Sequence, residues 1–304
     1  MPPESPDPTA ADRVNESLVP LLSAARVCVV AGKGGVGKTT VTAILATAAA
    51  AAGMRVLAVE LDGKPALSGL LGDGRVPSLA LSAPAALEEY LREHGFGKVA
   101  RRLTATGVIE VVSTAAPGID DIVLLGRIKQ LERSGEWDVI VVDGPAAGHA
   151  VTMLTAAAGL RDAVRSGPVR AQADAVLAML HDGTRCHVVL VTAPETTPVN
   201  ETIETAYALE DRVGVRLGPI IVNGVDLAGH RGAELDPHAA SGDHAGALAA
   251  AARFRQARRQ LQASAVARLA EALPLRQLHV PVAAAPKLGP DSIAELTAGV
   301  HPVA

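Results

Sequence analysis

Short, uninterrupted apolar runs alternate along the chain with longer stretches rich in Ala, Leu, Glu and Arg. Residues 27–30, 56–59, 139–142, 188–191 and 220–222 are apolar throughout, with no polar alternation inside them. A strand covered on both faces has this composition, because neither set of its side chains meets water. The stretches between them predict helices. Together they predict a doubly wound, mainly parallel α/β sheet with helices on both faces and right-handed crossovers. Regions near residues 85–133 and 151–181 read as helical elaborations. Residues 229–246, rich in Gly, Asp, Ala and His, read as a surface loop before a long helix over 247–273. Residues 1–22 read as a disordered tail and 23–304 as one domain, since no repeat or strong linker divides them.

Composition narrows the partners. With 304 residues, 49% hydrophobic content and a net charge of −4, the chain has material for a large core and no overall polyanion-binding surface. Aromatic content of 2% argues against stacking platforms for single-stranded nucleic acid. The longest uncharged apolar stretch, residues 39–54, falls short of the roughly 20 residues needed to cross a bilayer and reads as a buried helix. Residues 1–12 lack the basic start and apolar centre of a secretory signal. Cys28 and Cys186 sit at or beside predicted strands and read as reduced, buried thiols, which places the chain in the cytoplasm.

The residues that carry chemistry begin at Gly32. Gly32-Lys33-Gly34-Gly35-Val36-Gly37-Lys38-Thr39 fits the phosphate-loop pattern GxxxxGK[ST] between a predicted strand and a predicted helix. Glycines let successive backbone N–H groups turn inward around a polyphosphate, Lys38 reaches its β and γ oxygens, and the Thr39 hydroxyl suits Mg²⁺. A helix starting at Lys38 aims its positive end at the same anion. Asp62 and Asp143 follow apolar runs, so both belong at the carboxyl edge of the sheet, where open α/β folds bind ligands. Asp143 reads as the Walker B acid holding Mg²⁺, against a solvated turn residue as the alternative. Asp62 is placed to orient attacking water, against a loop cap as the alternative. Gly144 and Gly148, with His149, read as a switch loop answering to a γ-phosphate.

Lys33 inside the phosphate loop, Asp62 after the second strand and the run from Asp143 to His149 resemble the arsenite-pump and tail-anchored-protein-targeting ATPases. These are a branch of the deviant Walker A, MinD-like class. Further similarity runs through Pro117-Gly118-Ile119-Asp120-Asp121, Ala193-Pro194-Glu195, Val222-Asn223 and Ala257-Arg258-Arg259-Gln260, covering most residues from about 26 to 296. The resemblance implies ATP and Mg²⁺ held by Gly34, Gly35, Val36, Gly37, Lys38, Thr39 and Thr40. It implies that Lys33 contacts phosphate across a nucleotide-sandwich dimer, that Asp62 orients the hydrolytic water, that Asn223 reads adenine, and that Pro281 and Val282 pack near the base. The partner is then a second copy or a paralogous ATPase. A protein client, such as a membrane-protein segment, is one reading of the output; a regulatory switch without hydrophobic cargo is the other.

Departures from that pattern matter too. Cys28 and Cys186 are far apart in sequence, so neither a paired-cysteine zinc clamp nor a three-thiol arsenic site is expected. Gly144, Ala147 and Ala150 stand where the resembled family has threonines, and Met153 and Met179 replace a methionine-rich client surface. Leu154, Leu160, Leu177 and Leu180 suit either a small groove or core. His230, His238 and His244 with Asp236 and Asp243 match no ligand spacing and read as solvated loop. Arg253, Arg255, Arg258 and Arg259 read as a solvated helix face; no nucleic acid is expected. Asn223-Gly224-Val225-Asp226 resembles a guanine-reading motif without its lysine. Residues 291–300 lack the basic polar face of a membrane-surface helix, so no stable membrane insertion is expected.

Overall fold

The computed structural model describes residues 18–61, 66–72, 74, 76–93, 95, 97–98, 101, 118–226, 245–283, 285 and 287–303. Asp62, the histidine-bearing loop 229–244 and residues 1–17 of the expected tail lie outside these described residues. The elements in chain order are α1 (Val19–Leu22), β1 (Val27–Gly32), α2 (Lys38–Ala51), β2 (Val56–Leu61), α3 (Ala66–Leu71), β3 (Ser78–Leu81) and α4 (Ala83–Glu93). Then come α5 (Ile119–Ser134), β4 (Val139–Ala146), α6 (Ala147–Ala163), α7 (Pro168–Leu180), β5 (Cys186–Thr192), α8 (Thr196–Val213), β6 (Arg216–Leu217) and β7 (Ile220–Val225). The chain closes with α9 (Ala245–Ala272), β8 (Gln277–Pro281), α10 (Pro290–Ala298) and β9 (His301–Val303).

The strands form one nine-stranded sheet ordered β3-β2-β4-β1-β5-β7-β8-β9, with β6 beside β5. Every pairing is parallel except β8 with the edge strand β9. The expected doubly wound α/β architecture is therefore present. β1, β2 and β5 are buried along their whole length, as unalternating apolar runs require. One core layer joins Val29, Val142, Val188 and Val222 to helices α5 to α9; the other joins Val30, Val141, Val189 and Ile221 to α2 and α10. Ile293 and Leu296 of α10 are buried in that second layer, so the 291–300 segment is a core-packing helix.

Two expectations are corrected. The tail was to run through residue 22, yet Leu18, Leu21 and Leu22 are buried and Val19–Leu22 is a helical turn, because these leucines cover apolar surface at the foot of the sheet. A flexible loop was expected between Gly144 and His149. Instead β4 continues through Ala146 and α6 starts at Ala147, so Gly148 and His149 lie in the first helical turn. Gly144 belongs to the ladder itself: a Cβ there would stand 2.4 Å from the Val30 carbonyl oxygen, so close strand approach accounts for the glycine. The two readings left open for the leucines resolve toward core, since Leu154, Leu177 and Leu180 are buried and Leu160 packs against them.

The cysteines are free and buried on opposite layers of the core. Burial raises both thiols, Cys186 to about 12, so neither ionises near neutrality. Burial also acts on His187 of β5, which is 1% exposed and whose Nε2 has no partner; with Arg216 nearby, its pKa is held down to about 4. The folded chain keeps this ring neutral, whereas the unfolded chain protonates it below about pH 6.5. Stability present above pH 6.5 is therefore lost as pH falls toward 4, by about 3 kcal/mol. Thermal unfolding from pH 7.5 to 4 should show this slope, and His187→Gln should flatten it; an equally steep slope in the variant rules the histidine out.

Candidate active site

The site lies at the carboxyl edge of the sheet above β1, the strand between β4 and β5, where the winding changes direction. Gly32 ends β1 against β5: a Cβ there would meet the Val191 carbonyl oxygen at 2.2 Å. Gly34 and Gly35 are exposed, while Val36 is buried in the core layer beneath α2 and anchors the loop. Gly35 and Gly37 have φ of 86° and 90°, left-handed values that favour glycine. At Gly37 a side chain would also strike Asn223 Nδ2 at 2.2 Å. Nothing caps α2 through a side chain and no acid occupies its first turn, so its positive end faces the loop unneutralised.

Three of the expected groups converge here. Thr39 Oγ1 donates to Asp143 Oδ2 at 2.6 Å, and Thr42 Oγ1 reaches Asp143 Oδ1 at 3.4 Å. Burial raises the Asp143 carboxyl above its ordinary value and the Glu60 charge adds to this, while the Thr39 hydrogen bond, Lys38 and Thr42 pull it back. Lys38 Nζ donates to the Lys33 carbonyl at 3.2 Å; burial lowers its pKa, and Asp143 opposes that shift. A hydroxyl and a carboxylate side by side form the hard oxygen pair that suits Mg²⁺, with the remaining positions left for water and phosphate. Among the described residues no three His, Cys, Asp or Glu gather to hold an ion by themselves, and Mg²⁺ shared with a nucleotide needs no such cluster.

Asn223 Nδ2 donates to the Val36 carbonyl at 2.8 Å, tying the end of β7 to the phosphate loop. Pro281 pairs with Val225, and the Val282 N–H donates to the Val225 carbonyl at 3.0 Å, so both lie beside the strand that carries Asn223. Val282 is exposed, as a residue facing a ligand would be. Asp226 is not available to read guanine: Arg255 binds it through two 2.8 Å contacts and Arg259 adds a third at 3.2 Å, holding its pKa near 2. These same pairs account for half of the basic helix face.

Lys33 does not point into open solvent. Its Nζ pairs with Glu201 Oε1 of the same chain at 2.5 Å, and both side chains are about one-third to two-fifths exposed. His149 lies 3.5 Å from Asp121 on α5. Three neighbours of the site were not foreseen. Glu60 sits beside Asp143 across the β2–β4 ladder, and its Oε1 accepts the Ala66 and Leu67 N–H groups at 3.1 and 3.3 Å. A carboxylate closing an apolar run could have flagged it. Thr42 follows Thr39 by one helical turn, which was legible. Glu201 is 168 residues from Lys33, and no sequence signal links them.

Known proteins are similar to this chain in sequence. Residues 27–275 match the CobQ/CobB/MinD/ParA nucleotide binding domain. ATPase BagA of Mycobacterium tuberculosis is 34% identical over 226 residues, 66% of each chain. A putative arsenical pump-driving ATPase of Halobacterium salinarum is 25% identical across 71% of this chain and 38% of its own length. An arsenical pump-driving ATPase of Escherichia coli is 30% identical over 197 residues, 63% of this chain and 33% of its own. The match thus spans just under two thirds of the mycobacterial relative and about a third of the bacterial pump protein. The arsenite-pump resemblance read from the residues is borne out.

Proposed function

This chain belongs to the CobQ/CobB/MinD/ParA nucleotide-binding domain family, and from that premise we propose that it is a Mg·ATP hydrolase working as a homodimer or with a paralogous ATPase. The observation carrying this reading is the junction of the phosphate loop with the Thr39–Asp143 pair at the head of α2. Backbone N–H groups of residues 34–40 cradle the phosphates, and Lys38 neutralises the β and γ oxygens. Thr39 and Asp143 hold Mg²⁺, which supplies positive charge to the phosphate oxygens when bound. Asp62 aligns water in line with the γ-phosphate. Asn223, Pro281 and Val282 flank adenine. Names of the relatives support ATP as substrate.

Lys33 of one subunit then serves the phosphates of the other. Its fit to that task is its place in the loop, partly exposed and tethered only at its tip. The conformational output is capture or hand-over of a protein client, with Gly148 and His149 at the start of α6 as the nucleotide-sensing turn; no helix among the described residues is long and apolar enough to cross a membrane. The alternative output, a switch binding a partner ATPase without cargo, is favoured by the buried leucines of α6 and α7.

Two measurements test the hydrolase. Asp62→Asn should keep nucleotide affinity while turnover falls about 10²–10⁴-fold, the range of a positioned base; parental turnover removes Asp62 from the mechanism. Specific activity should fall on dilution. A rate per chain that is constant across a hundredfold dilution, with sedimentation showing monomer throughout, counts against the dimer.

A further inference from the structure

A cavity of about 890 Å³ runs along β8 away from the phosphate loop. None of Lys33–Thr40, Asn223 or Pro281 lines it. One wall is α9, which presents Ala263, Val266, Ala267 and Ala270 at helical spacing; Leu273, next after the helix, and Val303 of β9 also line the cavity. The alanine side chains are too short to fill the space between α9 and the sheet, so an apolar groove remains. Its floor is different. Gln277 and His279, two apart on β8, face the same layer and both line the cavity.

Buried polar side chains need partners, and each orphan calls for a reason. Gln262 on the α9 wall is satisfied, accepting the Asp226 N–H at 3.0 Å. Gln277 is 4% exposed; its Oε1 lies 3.3 Å from His279 Nε2, and its Nε2 has no partner. With the His279 ring donating from Nε2 to the Gln277 carbonyl oxygen, the Gln277 amide leaves a buried N–H donor at the floor of an apolar groove. Arg276 lines the same cavity and is exposed. The acid at the other end, Asp226, is already neutralised by Arg255 and Arg259. Unused polarity in the groove is thus donor and cation, while the walls are hydrocarbon. The volume falls within the range of small-molecule sites.

We infer that this groove binds a small amphiphile, an acyl chain lying along Ala263, Ala267 and Ala270 with a single carboxylate that accepts from Gln277 Nε2 beside Arg276. The carboxylate gives the orphan donor its acceptor and meets the rim cation. Methylenes of the chain cover the alanine wall. This reading needs no nucleotide and stands apart from the hydrolase.

The test uses the full chain without nucleotide and a dansylated undecanoic acid as fluorescent probe. Probe emission should rise with one-to-one saturation. Dodecanoate should displace the probe, and its methyl ester should do so at least 10-fold more weakly, the scale of a charge-assisted hydrogen bond. Ala267→Trp, at an exposed wall position, should weaken probe binding at least 10-fold with the helical circular dichroism unchanged. Should that variant fail to fold, Arg276→Gln on the exposed rim should weaken dodecanoate about 10-fold and leave the ester unmoved. No probe binding by the parent, binding unaltered in Ala267→Trp, or ester and acid binding equally would each overturn the inference. So would a parent that excludes the probe and sediments as a dimer that Ala267→Trp breaks, since the groove would then join two copies.

Discussion

Lys33→Ala is expected to slow ATP hydrolysis by about 10³-fold or more while nucleotide still binds, because a cation delivered across an interface to a transferring phosphoryl group contributes on that scale. In the free chain this lysine is occupied by Glu201 in the second turn of α8. Both groups are partly exposed, so the pair is weak and its exchange for phosphate oxygens costs little. Glu201→Gln should therefore raise activity at low protein concentration by a few-fold, by freeing Lys33 without touching the nucleotide. Steady-state phosphate release at saturating Mg·ATP reads both variants. Mixing decides the direction of delivery. A Lys38→Ala subunit that cannot hold nucleotide still carries Lys33, so adding it to Lys33→Ala chains should restore turnover at their intact sites. Failure of the mixture to regain activity, with mixed dimers demonstrated, would place Lys33 in its own subunit's site.

Lys38→Ala should weaken Mg·ATP binding by at least about 100-fold, close to 3 kcal/mol at room temperature. Its ammonium is the cation held beside Asp143 at the head of α2, and burial already lowers its pKa, so removing it strips charge where solvent cannot substitute. The fold should survive, because the side chain contributes a single 3.2 Å bond to the Lys33 carbonyl. Lys38→Arg is expected to fail as well, since a planar guanidinium cannot replace a compact ammonium in a loop closed by Gly37 and Asn223. Titration calorimetry checks the affinity and thermal unfolding checks the fold. An alanine variant that binds within 10-fold of the parent would mean that the phosphates are held elsewhere.

Much of the site was legible because it is local. The phosphate loop is eight consecutive residues between a strand and a helix, and Asp143 closes an apolar run four residues long. What escaped depends on chain segments meeting from a distance: Glu60 beside Asp143 across a ladder, Glu201 under Lys33, and Asn223 holding Val36 from 187 residues away. The strands β3, β8 and β9 also escaped, β8 although it lies inside the sheet between β7 and β9. Ser78–Leu81 is largely exposed, and Gln277–Pro281 mixes polar and apolar residues, so neither carries the unalternating signature of a central strand. Asp62 lies outside the described residues, and its role stands on the sequence.

Residue order alone determined the parallel, doubly covered sheet and the class of chemistry at its carboxyl edge, because burial on both faces and phosphate binding by backbone each impose a composition on contiguous residues. Only the tertiary structure decided which charges answer one another. Gly144 reads as a flexible switch in one dimension and is a close-packed ladder residue in three; Asp226 falls in a run with only a superficial likeness to a guanine-reading motif, and the fold locks it with two arginines. Ion pairs and close approaches depend on distance in space, which falls within ångströms for residues that the chain separates by dozens to hundreds of positions.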